Sequence, residues 1–95
     1  MSTARSTITI DDSRVRVTTW TFRLAGDSTG PHRHEYDYIV VPVTGGELSV
    51  TAADGERRVL AQQAGVPYRG RAGTEHTVTA DSDTAVTFVE IEFKS

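Results

Sequence analysis

The chain has no cysteine among its 95 residues, which excludes a disulfide framework and any thiolate metal site. A small secreted domain would lack its usual covalent staple, so a cytoplasmic protein is expected. Long apolar runs are missing as well: none approaches the roughly 20 residues that span a bilayer. The start, Met1-Ser2-Thr3-Ala4-Arg5-Ser6-Thr7, has no apolar core of signal-peptide length. Neither a membrane nor a targeting role is expected. Basic clusters are also lacking. Ten Lys and Arg stand against 13 Asp and Glu, for a net charge of −3, and the only adjacent arginines are Arg57 and Arg58. Phosphate neutralisation dominates nucleic-acid affinity, so nucleic acid is not an expected partner. Helix signals are nearly absent. No Ser-His-Asp order, phosphate-binding glycine loop or Cys-His pair offers a carrier for nucleophilic catalysis.

What the chain does have is the strand period. A chain of this length is expected to form one domain, 1–95, with residues 1–7 either loose or added as an edge strand. Threonine, valine, isoleucine and aromatic residues recur in short runs cut by glycine, aspartate and serine. The first clear run, 15–24, sets Trp20, Phe22 and Leu24 on one face, which is expected to be buried. A second extended region covers 32–43, where Pro42 requires an edge, a bulge or a bend. Runs 47–52 and 56–61 flank Ala53-Asp54-Gly55, and Asp-Gly is expected to supply the positive φ angles of a tight hairpin. Residues 76–80 resume an extended segment. The last run, 84–94, alternates Val89, Ile91 and Phe93 with Glu90 and Glu92, so the glutamates are expected to face solvent. About eight short strands with frequent turns give an all-β sandwich or barrel.

The chain's three histidines are unevenly spread: His32-Arg33-His34 holds two, and His76 opens a later run. In an extended strand, side chains at i and i+2 share a face, so the first two imidazoles converge on a common point. Three neutral imidazoles with open positions beside them suit zinc, iron, nickel or copper. Taken one at a time, a histidine is more often a solvated or hydrogen-bonded side chain.

Gly26, His32, His34 and Gly45 match the first motif of the cupin superfamily, and Gly65, Gly73 and His76 match the glycines and histidine of the second. The chain thus resembles a small single-domain bacterial cupin. The stretches His32-Arg33-His34-Glu35-Tyr36-Asp37-Tyr38 and Val89-Glu90-Ile91-Glu92 are similar to the subgroup labelled β-alanine-degradation cupins. Arg71 stands in place of the motif's proline and Ala80 in place of its asparagine. Where the motif has a glutamate ligand, this chain has Tyr38, or Ile39 at the longer spacing.

The resemblance implies the cupin β-barrel, a double-stranded β-helix or jelly roll. It also implies a divalent metal ion held by His32, His34 and His76, with iron(II) expected first and zinc, nickel, manganese or copper as alternatives. Counting parity from His34 puts Tyr36 and Tyr38 on the histidine face and Glu35 and Asp37 on the other. Tyr38 is the candidate catalytic residue, hydrogen-bonding a metal-bound water or substrate; direct phenolate ligation and plain core packing are its other readings. The function implied is a metalloenzyme acting on a small organic molecule by dioxygenase-type, isomerase or lyase chemistry. The alternative is a non-catalytic cupin that binds or senses a small molecule. Arg23, Arg33, Arg69 and Arg71 flank the motifs and are candidates for holding a carboxylate, although surface pairing is the commoner role for each. A homodimer formed through an apolar outer sheet face is expected.

Overall fold

Short β-branched runs interrupted by glycine and aspartate leave the backbone little choice but strands and tight turns. A computed structural model describes residues 3–95. The chain forms β1 (Arg5–Asp11), β2 (Val15–Phe22), β3 (His32–Arg33), β4 (Tyr38–Pro42), β5 (Gly46–Ala52), β6 (Arg57–Gln62), β7 (Tyr68–Gly70), β8 (Glu75–Ala80) and β9 (Val86–Phe93). One sheet has the order β1-β2-β9-β4-β7 and the other β3-β8-β5-β6. All pairings between these strands are antiparallel. Among the described residues no helix is long and apolar enough to cross a membrane.

Strand β1 is not among the runs that the sequence period picks out, although Ile8 and Ile10 alternate with threonine there. It pairs with β2 as the sheet's outer strand, with a register shift between Ile8 and Ile10. Of the segment 1–7, Met1 and Ser2 lie outside the described residues. The β5–β6 hairpin turns on Gly55 alone, at φ 90°, and among the described residues only glycines take a positive φ. Asp54 therefore does not share the left-handed conformation expected of it; its carboxylate accepts from the Glu56 amide at 2.9 Å instead. Pro42 ends β4 and pairs only with Phe88, beyond the reach of β7, so its missing N–H removes no ladder bond there.

Between the sheets, Phe22, Leu48 and Val86 are fully buried, joined by Val40, Val50, Val78, Ala80 and Phe88. Phe22 and Phe88 pack with ring centroids 5.8 Å apart. Trp20 packs partly buried against this core, but Leu24 does not share the face and is 57% exposed. The strand stops at Phe22 because the Asp27 carboxylate accepts from the amides of Arg23 and Leu24, at 2.8 and 3.3 Å, and turns the chain.

The expected facing of β9 is also overturned. Glu90 and Glu92 are buried, while Val89, Ile91 and Phe93 lie on the outer side. Phe22 pairs with Val86, Trp20 with Phe88 and Val40 with Glu90. That register commits Val86 and Phe88 to the interior, and the period of two then carries both glutamates inward. Glu92 meets Arg16 directly across the strand pair, and the guanidinium donates to both carboxylate oxygens at 2.9 Å. Charge-assisted bonds of this bidentate kind offset much of the desolvation that a buried carboxylate suffers.

Candidate metal centre

The site is built where β3 meets β8. His32 and His76 are register partners across that pair. His34 falls just beyond β3, yet its backbone stays tied to the same neighbour: its amide donates to the Thr74 carbonyl at 2.9 Å, and the Gly73 amide donates to its carbonyl at 2.8 Å. Gly73 takes φ 89°, a conformation glycine adopts without penalty, so the second motif's turn and its histidine are placed together.

The three imidazoles point inward to one spot. His34 Nε2 lies 3.1 Å from His32 Nε2 and 3.1 Å from His76 Nε2. Two nitrogens each about 2.1 Å from a shared ion are about 3.0 to 3.4 Å apart for square to tetrahedral bond angles, so these separations suit common ligation. The protonation pattern agrees. His32 Nδ1 is 3.0 Å from the Gly30 carbonyl, an acceptor, which assigns its proton to Nδ1 and leaves Nε2 with a lone pair facing its neighbours. Burial, then the neighbouring His32, lowers both His34 and His76 to about 4. At neutral pH these imidazoles are uncharged, the form that ligates a metal.

Around this cluster stand groups of two kinds. The Tyr38 ring stacks on His34 with centroids 3.9 Å apart, and Trp20 flanks His32 at 6.5 Å. Tyr38 fits because Gly70 sits opposite it in β7; any Cβ there would collide with the phenol ring. Burial, then Glu90, pushes the phenol up to about 12, which keeps it protonated and weighs against direct phenolate ligation. Tyr36 does not accompany Tyr38. The chain bends at residues 35–36 rather than staying extended, and the Tyr36 ring packs 5.8 Å from the Arg16 guanidinium. Asp37 is exposed, and its carboxylate accepts from the Ala72 amide at 2.8 Å.

The second kind of group is acidic, and strand alternation alone would send it to solvent. Glu90 Oε1 lies 3.9 Å from His34 Nδ1, and His34, Glu90 and Glu92 bring one potential ligand atom each within 4.8 Å of one another. Glu90 thus lies on the Nδ1 side of His34, away from the point where the three Nε2 atoms converge. Burial, then the charge of Glu92, raises Glu90 to about 7. A carboxyl there sits near the midpoint of its titration at neutral pH.

A cavity of about 280 Å³ opens beside the cluster, lined by His32, His76, Tyr38 and Glu90 together with apolar walls from Trp20, Val50, Leu60, Val78 and Phe88. Of the four arginines that flank the motifs, Arg69 and Arg71 border it and Arg23 and Arg33 do not; Arg58 joins them instead.

Comparison with known proteins decides the family: the cupin domain family matches residues 18–92. The chain belongs to the cupin domain family. This cupin is 43% identical over 88 residues to the β-alanine degradation protein BauB of Pseudomonas aeruginosa, covering 93% of this chain and 90% of that one. It is similar to a crystallographically determined cupin domain from Bordetella pertussis, at 44% identity and a TM-score of 0.92 over 99% of this chain and 96% of that one. A cupin of double-stranded β-helix fold from Methanocaldococcus jannaschii superposes with a TM-score of 0.78 over 98% of this chain and 82% of that one. At 12% identity, that likeness speaks for the fold alone.

Proposed function

We propose that this cupin holds one divalent metal ion through Nε2 of His32, His34 and His76 and uses it on a small organic molecule bound in the adjoining cavity. The observation that carries this reading is the mutual approach of three ring nitrogens at 3.1 Å steps, at least one of them with its lone pair turned toward the others. Neutral nitrogen donors of this kind suit iron(II), our first choice, and also zinc, nickel, manganese or copper. When bound, such an ion supplies Lewis-acid or redox chemistry. The chain's own contributions are distinct. The Gly30 carbonyl orients His32, and Tyr38 backs His34. Apolar walls limit water, and Glu90 offers a carboxyl that can take or give a proton beside the bound molecule. The name of the Pseudomonas relative, a β-alanine degradation protein, supports a small metabolite as the bound molecule.

Titration of metal-free, untagged protein with iron(II), zinc, nickel, manganese and copper tests the site. One ion per chain is expected, with affinity falling about 100-fold or more in His76→Ala. Tyr38→Phe, which preserves the stacked ring, is expected to keep the ion; lost turnover with the ion retained would assign the hydroxyl to the substrate. Equal affinity in parent and His76→Ala overturns the reading. Saturable uptake of small molecules by the loaded protein without turnover would make this cupin a binding module rather than an enzyme.

We also infer that a second copy of the chain covers the outer side of the five-stranded sheet. Ile10, Val17, Ile91 and Ile39 are successive register partners across four strands of that side, and Val89 and Val41 form a second apolar pair. None of these side chains is charged; the row meets a charge only at the sheet's edge, where Arg69 of β7 stands opposite Ile39 and is exposed, so an identical face meets the apolar row with that charge left at the rim.

A further inference from the structure

Three arginines border the cavity, and none of them joins the protein's own ion pairs. Among the described residues the arginine ion pairs join Arg16 to Glu92 and Arg57 to Asp81. Arg58, Arg69 and Arg71 take part in neither, yet all three line the cavity.

Arg57 and Arg58 are chemically identical neighbours with opposite situations. Arg57 donates to Ser49 and Asp81. Arg58 lies opposite Val50, on the inward side of β6 with Leu60 and Gln62, where Val50 and Leu60 also line the cavity. Arg58 shares the cavity lining with Tyr38, Tyr68 and His76. Among the described residues Glu90 is the only acidic member of the lining. Arg69 stands opposite Ile39 on the outer side of its sheet, which leaves Arg58 and Arg71 as the cations nearest the interior, and a single carboxyl cannot balance both.

Arg58 and Arg71 are exposed, so they stand at the cavity's rim, where a cation backed by apolar walls attracts an anion more strongly than on an open surface. We propose that the cavity takes a small monocarboxylate, with its carboxylate bound by the planar guanidinium of Arg58 and attracted inward past Arg71. The fork of a guanidinium matches the two oxygens of a carboxylate, and one inward arginine matches one negative charge. A volume of about 280 Å³ admits a molecule of a few carbon atoms with room for water. The far end of such an acid then lies toward the histidines. A hydroxyl or amine at that end gains a further contact, and this part of the proposal rests on the metal reading above.

Calorimetric titration of the metal-free and metal-loaded protein with propionate, 3-hydroxypropionate, propionamide and inorganic phosphate tests it. Both acids are expected to bind at least tenfold more tightly than propionamide. Arg58→Gln is expected to lose at least tenfold for the acids while keeping metal stoichiometry, Arg58→Lys to fall between, and Arg57→Gln to match the parent. Acid binding that needs Arg58 but gains nothing from metal supports the carboxylate site and counts against the metal reading. Equal binding of propionate and propionamide, undiminished acid binding in both Arg58 variants, or phosphate binding more tightly than either acid would overturn the proposal.

Discussion

Along the inner side of β9, Val86 and Phe88 close one end of the interior against Phe22, whereas Glu90 and Glu92 open the other end toward histidine and arginine. One strand with one register produces both surfaces. The apolar end needs only shape and area, and its side chains are interchangeable in kind. The polar end needs specific partners, because each buried carboxylate must be paired, protonated or both. Arg16 answers Glu92 with two hydrogen bonds. Glu90 has no arginine bonded to it and shifts toward its neutral form instead.

The comparison breaks most visibly at the apolar end. Phe22 is fully buried and touches Phe88, so Phe22→Ala leaves a cavity in a small core and is expected to destabilise the fold by about 3 to 5 kcal/mol in urea unfolding. The effect should not depend on pH, because no titrating group is exchanged. A loss below about 1 kcal/mol would mean that this end collapses around the gap rather than acting as a packed unit.

At the polar end the expected loss is smaller and depends on pH. Glu90 is raised from an ordinary 4.5 to about 7, so the folded chain binds more protons than the unfolded chain between those values. Its contribution to stability is present in full below 4.5 and is lost as pH rises through 7. His34 and His76 act in the opposite sense. Both fall from 6.5 to about 4, so their contribution is present above 6.5 and is lost as pH drops toward 4. In metal-free protein the two trends oppose each other on the acid side, leaving Glu90 to govern the decline on going to pH 8. Glu90→Gln keeps the neutral shape and removes that decline, and should gain about 1 to 3 kcal/mol relative to the parent between pH 5 and pH 8. Parallel stability curves for the two proteins would show that Glu90 is charged at no cost in the fold.

The two ends also differ in how well the sequence reveals them. His32-Arg33-His34 carries its convergence in nearby positions, whereas His76 joins that pair only through the resemblance to the second cupin motif. Strand periods expose the all-β fold. The facing of β9 is not legible in the same way, because 84–94 alternates equally well in either parity and two glutamates in a strand resemble a solvent side. The tie is broken by residues far along the chain: Phe22, Val40 and Arg16 fix which side turns inward. Arg58 is hidden for a similar reason. Nothing separates it from Arg57 until the hairpin register sets it opposite Val50. The stretch 34–38 misleads at Tyr36 because parity counting assumes an unbroken strand, and the chain bends there.

The outer side of β9 gives the smallest expected change in the chain itself and sharpens the contrast with the inner side. Ile91 is only half-buried there, between Val17 and Ile39. Ile91→Thr retains a β-branched side chain and should alter the chain's own stability by under about 1 kcal/mol. Its effect should appear in association. Light scattering is expected to give the parent twice the 10.3 kDa chain mass and to show the variant shifting toward the single-chain mass on dilution. A parent that is a single chain at every concentration would leave the row from Ile10 to Ile39 as an ordinary solvated surface. The inner side of β9 would then hold its charges and the outer side its apolar residues solely because Phe88 had to be buried, with no second copy contributing to the pattern.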